Sequence, residues 1–561
     1  MEETVKLENP KNQLSKENIN TLRLSINTLK AEKNARLLNL IYQNPIIAGV
    51  LLYLIFLPSL WGLIFRLRPL WLLRINDTIK QHEYKLPDSM GGIKLPLRDI
   101  IFLGFFTYRP RVLNAWVQAH IETVRAEFAK IETVKERATY IPVPVKLDGN
   151  NFSKNDWQSN KLQASLQKIF NRERACLLIW GEGGAGKTSI ACEIAKWAID
   201  ESENKRICNH LMIPILIEKE LNLQEENTEH ILEKNISLQL QDLTKKAEEI
   251  SEELLEKLLK HRRILVILDH ISEMSEATRL QIEKEAVKYN ALLITSRIEE
   301  TMTNRAIDGT IQPLRIQGAD IAVFLQDYLK QQGKLHLFPG KNFYDTCGDL
   351  AKLLEEIERQ NRLTTVLFAK LYADVLIVNK EGNKDGETPE NIPDLMLEYI
   401  NQLNRDIKEN KLEDRNIQQD IKILAWECLS HNYRPTSIKR QDALNALASI
   451  NNDDTELRLK YLAEKLRLIQ IIGADKDSIR FVLDPVSEYL AGLYLLDMYN
   501  NDENKWLDFL ITADSQSGAP DSIKGFLLAI RDDYLAKIPD AKESDFLPKE
   551  IADRCGIGNL P

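Results

Sequence analysis

Eight consecutive residues, Gly181-Glu182-Gly183-Gly184-Ala185-Gly186-Lys187-Thr188, have the spacing G-x-x-x-x-G-K-[ST]. Their chemistry is phosphate chemistry. Glycines let the backbone curl so that its N–H groups point inward at phosphate oxygens. A helix starting at Thr188 and Ser189 adds the positive partial charge of its N-terminus. The Lys187 ammonium would reach the β and γ phosphates, and the Thr188 hydroxyl would coordinate Mg²⁺. Residues 181–189 are therefore the expected binding site for a nucleoside triphosphate.

A phosphate loop needs a strand before it and a helix after it. Residues 175–180 are a short apolar run, and residues 188–199 read as the helix. A partner strand must deliver a carboxylate to the metal. Ile264-Leu-Val-Ile-Leu-Asp269 fits that role, with Asp269 as the expected Mg²⁺ residue. Glu273, four residues on, is either the group that orients an attacking water or a solvated loop residue. Residues 292–297 end a further strand on Thr295, Ser296 and Arg297. Arg297 either senses the γ-phosphate or is a surface arginine. Strands at 211–217 and 290–295, with a helix at 251–260, complete an alternating pattern. Apolar strands buried on both faces imply a parallel sheet between helices.

After residue 319 the pattern turns helical: 319–332, 349–357, 363–378, 393–405 and 420–429. A helix at 455–467 follows, then paired strands at 468–472 and 478–483 around a turn at 473–477. A helix at 485–498 comes next. Helices followed by a two-stranded hairpin resemble a winged helix. Its recognition region, 455–467, mixes acidic and basic residues instead of presenting a basic face, so regulation is expected here and DNA contact is not.

The order of the phosphate loop, Ile267-Leu-Asp269-His-Ile-Ser-Glu273, Thr295-Ser-Arg297, Gln312-Pro-Leu314 and the helix 319–329 resembles the NACHT-type STAND P-loop ATPases, in a membrane-anchored, bacterial-like form. So does Arg480-Phe-Val-Leu-Asp-Pro485-Val-Ser-Glu488-Tyr-Leu-Ala491. The similarity covers residues 158–499. It implies an ATP/ADP switch with Mg²⁺, a helical lid and winged helix behind the nucleotide, assembly into homo-oligomers when ATP is bound, and a role in signal transduction or defence. It also implies slow ATP hydrolysis that resets the switch. The family usually has an acidic residue where this chain has Ser272, and that departure bears on the hydrolysis rate.

The chain has 561 residues, 44% hydrophobic and 28% charged, with a net charge of -9. Residues 1–150 carry 21 Lys and Arg against 14 Asp and Glu, a net of +7, which leaves -16 for the rest. A basic N-terminal part joined to an acidic body suggests two different surroundings, and the acidic body argues against coating nucleic acid. The six cysteines are scattered with no C-x-x-C pair, the pattern of reduced, buried thiols.

Residues 46–65 hold no charged side chain, enough for one helical membrane span, with Arg66, Arg68, Arg74 and Lys80 beyond it and Trp61 and Trp71 as interfacial anchors. Pro58 inside it is tolerated in lipid. Because ATP is cytosolic, the ATPase body is expected inside and the first residues outside. A second apolar run, 100–106, is too short to cross. It is expected to be a core strand, the alternative being an interfacial patch, and a helix at 111–135 should follow. Residues 15–36 are helix-prone with two heptads' worth of apolar positions.

The expected division is a polar tail (1–45), the span (46–65), a juxtamembrane region closed by a Pro-rich linker (66–150), the P-loop domain (151–315), the helical lid (316–408), the winged helix (409–500) and a C-terminal helical extension (501–561). Two other functions are compatible with these residues. One is a membrane ATPase that couples hydrolysis to transport or remodelling; the other is a nucleotide-dependent scaffold with little hydrolysis. A protein trigger or effector is expected but not identified.

Overall fold

In the computed structural model the described residues are 27, 28, 30 and 45–556, apart from 86–93, 139, 182, 222–229, 247–249, 300–305, 315, 317, 359–365, 383–388, 406, 408–410, 452, 473–476 and 517. Most of residues 15–36 lie outside this set. The chain divides into two units, Met1–Trp116 and Val117–Pro561.

The first unit is built on α1 (Pro45–Leu67), followed at once by α2 (Pro69–Ile79). Residues Gly49–Leu67 of α1 are long and apolar enough to cross a membrane, and only 6% of that stretch is buried within the protein. Side chains such as Leu52, Ile55 and Phe56 point outward, a pattern that costs free energy in water and none in hydrocarbon. The apolar run at 100–106 does not form the expected strand. It forms two helical turns, Leu97–Ile100 and Gly104–Thr107, broken at Phe102, which takes a left-handed φ of 60°. The reason is local. Leu103 is buried and its carbonyl accepts from the Thr107 hydroxyl at 2.9 Å, while Phe105 faces outward. Their spacing is helical. The segment packs along α1: Trp61 Nε1 donates to the Ile101 carbonyl at 2.6 Å, and the Tyr53 and Phe102 rings lie 5.9 Å apart. The helix that follows is Pro110–Phe128, with a separate turn at Glu132–Glu136 in place of one helix to 135.

In the second unit a seven-stranded sheet positions the phosphate loop. Its strands are β1 (Val145–Leu147), β2 (Asn150–Phe152), β3 (Ala175–Trp180), β4 (Ile213–Ile217), β5 (Ile264–Leu268), β6 (Ala291–Ser296) and β7 (Gly309–Pro313). Their order is β2-β1-β7-β3-β6-β5-β4. Neighbours from β7 to β4 run parallel, whereas β1 is antiparallel to both β7 and β2. The sheet is therefore mixed. Every residue of β4, β5 and β6 is buried, because helices cover both faces and leave no side for polar residues. The Pro-rich stretch expected as a linker supplies β1. Lys146 pairs with Gln312, and the left-handed Asp148 and Gly149 turn the chain into β2.

Between the strands lie α3 (Lys187–Ala198) and α4 (Glu276–Ala286). Beyond the sheet come helices Gly318–Gln331, Lys341–Glu358, Val366–Glu381 and Ile392–Arg405. Then α5 (Asp414–Leu429), a three-stranded sheet of β8 (Ile438–Lys439), β9 (Ile469–Ile472) and β10 (Ser478–Phe481), and α6 (Asp484–Tyr499) follow. The order β8-β10-β9, with a helix at Arg440–Ile450 between β8 and the hairpin, is a winged-helix arrangement. One apolar core joins the lid helices, α5, the small sheet, α6 and α7 (Lys524–Lys537).

Among the described residues of that core, one acid stands without a hydrogen-bond partner. Asp533 on α7 is fully buried, and neither carboxylate oxygen has a hydrogen-bond partner. It stands against Gly492 of α6, where any Cβ would collide with it. Burial, reinforced by Asp532, pushes its pKa well above the usual carboxylate range. The unfolded chain releases this proton near pH ~4, while the folded chain holds it. Stability therefore falls as pH rises above ~4 toward the folded pKa. Asp533→Asn keeps the shape and removes the charge. Scanning calorimetry should give it a higher melting temperature than the parent at pH 7, with the gap closing toward pH 4. An equal or lower value at pH 7 would contradict this account.

Candidate functional site

The phosphate loop joins β3 to α3, as its flanking residues require. Gly184 has φ +74° and Gly186 φ +92°, so both sit where a side chain is strained. Lys187 is buried at the helix start, and its Nζ donates to the Gly181 carbonyl at 2.8 Å. Ala185 is buried and Ser189 is half-buried on the first turn of α3. Glu182 lies outside the described residues.

Asp269 lies just past the end of β5 and is wholly buried. Two hydroxyls donate to its Oδ1: Thr188 at 3.1 Å, and Thr295 from the end of β6. The Thr295 hydroxyl in turn accepts from the His270 amide at 2.9 Å. The sheet thus brings the Walker hydroxyl and the Walker carboxylate together across 81 residues of sequence. Burial alone would raise the Asp269 pKa. The charge and hydrogen bond of His270, together with Thr295, overcome it and hold the carboxyl below the usual range.

The donor set fits Mg²⁺. An alcohol and a carboxylate are hard oxygen ligands, and Mg²⁺ commonly takes one or two protein oxygens and leaves the rest to phosphate and water. Asp269 Oδ2 is turned away from the two hydroxyls and lies 3.1 Å from His270 Nε2. The same nitrogen is 3.4 Å from the Thr188 hydroxyl. His270 takes a left-handed φ of 58° to reach this place. Among the described residues no group of three or more His, Cys, Asp and Glu is arranged to hold a metal, and all six cysteines are free and buried.

Ser272 and Glu273 lie on a single 3₁₀ turn, Ile271–Glu273; the Glu273 side chain is outside the described set. Ser272 has a clear task, since its hydroxyl accepts from the Arg297 amide at 2.9 Å. The Arg297 side chain is only 12% exposed. It turns toward α6, with Nη1 2.9 Å from Glu488 Oε1 and Nη2 2.6 Å from Asp484 Oδ2. Arg297 thus belongs to a buried three-residue ion cluster and not to the surface.

The same part of α6 covers the loop. A Cβ on Gly183 would sit 3.4 Å from Arg297 Nη2 and 3.4 Å from Pro485 Cγ. One on Gly184 would meet Leu367 Cβ and Pro485 Cγ at 3.1 Å. The lid helix Val366–Glu381 and α6 therefore both close on the phosphate loop.

Residues 156–317 match the model of the NB-ARC domain, and residues 515–559 match the NACHT C-terminal helical domain 4. This chain is a NACHT-type STAND P-loop ATPase. The two matches take in the phosphate loop, Asp269, Arg297 and the segment that carries α7. The STAND core of this chain thus follows the NB-ARC pattern, with the NACHT signature at its C-terminal end. The crystal structure of Cdc6p from Pyrobaculum aerophilum is similar at 15% identity and a TM-score of 0.28, over 63% of this chain and 94% of that one. The Drosophila ORC bound to DNA is similar at 12% identity and a TM-score of 0.21, over 57% of this chain and 90% of that one. Scores of this size carry no argument about the STAND chain. No curated protein matches it.

Sequence reasoning missed three features of this site. They are the bond from Thr295 to Asp269, the position of His270 and the α6 partners of Arg297. A hydroxyl on the last residues of the strand beside the Walker carboxylate is a signal that could have found Thr295.

Gly184→Ala tests the loop. The left-handed conformation alone would cost about 1–2 kcal/mol, and the new methyl would press on Leu367 and Pro485. The expected outcome is a folded protein with a lower melting temperature and faster limited proteolysis in the lid. A variant as stable and as resistant as the parent would show that the covering is not tight.

Proposed function

We propose that this chain is a membrane-anchored ATP/ADP switch in signal transduction or defence, in which the bound nucleotide decides whether the lid and winged helix stay closed over the phosphate loop. The observation that carries the reading is the Arg297 cluster. An arginine at the end of β6, beside the loop, is bound to Asp484 and Glu488 of α6, while Pro485 packs on the loop glycines. A group that holds the closed form by ion pairs and lies next to the γ-phosphate position can exchange one anionic partner for another.

The roles follow from position. Residues 181–188 cradle the phosphates, with Lys187 balancing their charge and Ser189 on the first turn of the helix. Thr188 and Asp269 would hold Mg²⁺, which would neutralise phosphate charge when bound. Thr295 fixes one oxygen of Asp269 and so orients the carboxylate that would serve the metal. Glu273 is proposed to orient water, in a slow ATPase step that resets the switch. The division into P-loop domain (151–315, with β1 added), lid (316–408), winged helix (409–500) and C-terminal helices (501–561) serves this cycle. Opening would expose surfaces for homo-oligomer assembly and for a protein trigger or effector.

The exposed apolar α1 supports anchoring by a single span, with the body in the cytoplasm and the N-terminal tail across the membrane. The turns at 97–107 that pack along α1 support a larger anchor than one helix, because Phe105 would then face lipid or the interface.

Two measurements test the switch, both on the full chain in detergent, since a fragment beginning at Asp148 would cut β1 from the sheet. Lys187→Ala should lose ATP-Mg²⁺ binding that the parent shows by equilibrium dialysis. Equal binding by the variant would refute a nucleotide switch at this loop. Fast multiple turnover by the parent would favour the remodelling ATPase, and tight binding with no turnover the scaffold. Glu488→Ala breaks the buried cluster from the α6 side, and removing one partner of a buried pair is worth about 3–5 kcal/mol. ADP release, followed by a fluorescent analogue, should quicken on the order of tenfold or more, because ~1.4 kcal/mol already gives a factor of ten. An unchanged release rate would mean that the cluster does not hold the lid.

A further inference from the structure

Beside the phosphate loop a cleft of about 470 Å³ opens where three parts of the second unit meet. The sheet side supplies Arg279 on α4 and Arg297. The segment between α5 and β8 supplies Arg434, β8 itself supplies Lys439, and Ser522 comes from the turn before α7. Lys187 is not part of this wall. Two carboxylates, Glu276 and Asp442, line it among the described residues, against four cations. With Arg297 paired on α6, Arg279, Arg434 and Lys439 set three positive charges against those two carboxylates, a net of one.

These residues are far apart in sequence: Arg279 comes from α4, Arg434 from the turn after α5 and Lys439 from β8. Arg279 lies on α4, and its Nε is buried with no hydrogen-bond partner. Arg434 sits in a tight turn, after the left-handed Tyr433 and with its amide donating to Asn432 Oδ1 at 3.1 Å. It also reaches the C-terminal region, since a Cβ on Gly518 would lie 3.8 Å from its Nη2. Burial, and then the nearby charges of Arg297 and Arg279, push the Arg434 guanidinium below its ordinary value. Arg297 is neutralised by Asp484 and Glu488, so an anion in the cleft would be drawn chiefly by Arg279, Arg434 and Lys439.

We infer that this cleft is a second anion site, which binds a small molecule carrying two or more phosphate groups through Arg279, Arg434 and Lys439. Guanidinium forks match phosphate oxygens in pairs, which a lysine cluster would not do with the same directionality. The volume is that of a small-molecule pocket. Because its walls belong to the sheet, the α5–β8 segment and the turn before α7, an occupant would tie all three together and stabilise the closed form. The inference does not rest on the switch reading, since it uses neither Lys187 nor the metal residues.

The test uses the full chain in detergent with Lys187→Ala in place, inorganic pyrophosphate as the probe and a chelator present, so that the phosphate loop does not contribute. Titration calorimetry should show one saturable site, and pyrophosphate should raise the melting temperature. Adding Arg279→Gln and Arg434→Gln should weaken binding at least tenfold. Lys439 is exposed, so Lys439→Gln should fold normally and still weaken binding several-fold, which keeps the test sound if the Arg434 variant does not fold. Absence of pyrophosphate binding by the Lys187→Ala chain would overturn the site. So would binding that Arg279→Gln and Lys439→Gln leave unchanged. The switch reading fails on a different result, ATP binding that survives Lys187→Ala.

Discussion

Arg297 is a buried cation whose counter-charges come from another part of the chain, and much of the arrangement around the phosphate loop depends on that. A guanidinium with 12% of its side chain exposed cannot stand alone without a large desolvation cost. Asp484 and Glu488 answer it from α6, 191 residues later in the case of Glu488. To bring them there, α6 must lie across the end of the sheet, and Pro485, between the two acids, then rests on Gly183 and Gly184. Glu488 also leaves no room on the neighbouring helix. A Cβ on Gly525 would come within 2.7 Å of its Oε2, so α7 approaches through a glycine. One ion cluster thus fixes α6, α7 and the cover of the loop.

The loop itself was legible because its signal is local. Glycine spacing, one apolar strand before it and a helix start after it all fall within some twenty residues. The strands ending in Asp269 and Thr295 were equally plain, since continuous apolar runs of five or six residues mean burial on both faces. The strands β1, β2 and β7 were not read. They have three to five residues, and β1 follows two prolines; their pairing partners lie far away in sequence. Short strands carry little intrinsic preference, and non-local pairing decides them. The same holds for the run at 100–106, where apolar composition suggested a strand and the left-handed Phe102 and the inward Leu103 and Thr107 made helical turns instead.

The metal residues show where composition ends and geometry begins. Thr188 and Asp269 could be named from motifs. That Thr295 holds one oxygen of Asp269, and that His270 turns back over the same carboxylate, depends on a left-handed residue directly after the strand. No residue type announces that conformation; histidine only tolerates it somewhat better than branched side chains do. Ser272 is similar. It stands where the resembled family carries an acid, and its hydroxyl instead supports the Arg297 backbone. The substitution exchanges a charge near the nucleotide for a hydrogen bond that steadies the arginine.

These pieces imply a division of labour around one arginine. Its backbone amide is fixed by Ser272 on the Walker side, so the base of the residue stays with the sheet. Its side chain is paired with α6, so the tip is held by the helix that follows the small sheet. Under the proposed switch, this arrangement would convert a change in charge at the phosphate loop into a change in contact more than one element away, because the guanidinium cannot satisfy a phosphate and both carboxylates with the same two edges. If the cluster opens, Asp484 and Glu488 become buried anions without a partner. Their desolvation then drives α6 off the loop toward solvent. The energy that opens the lid would therefore reside in the acids left behind, and the nucleotide need only compete for the arginine.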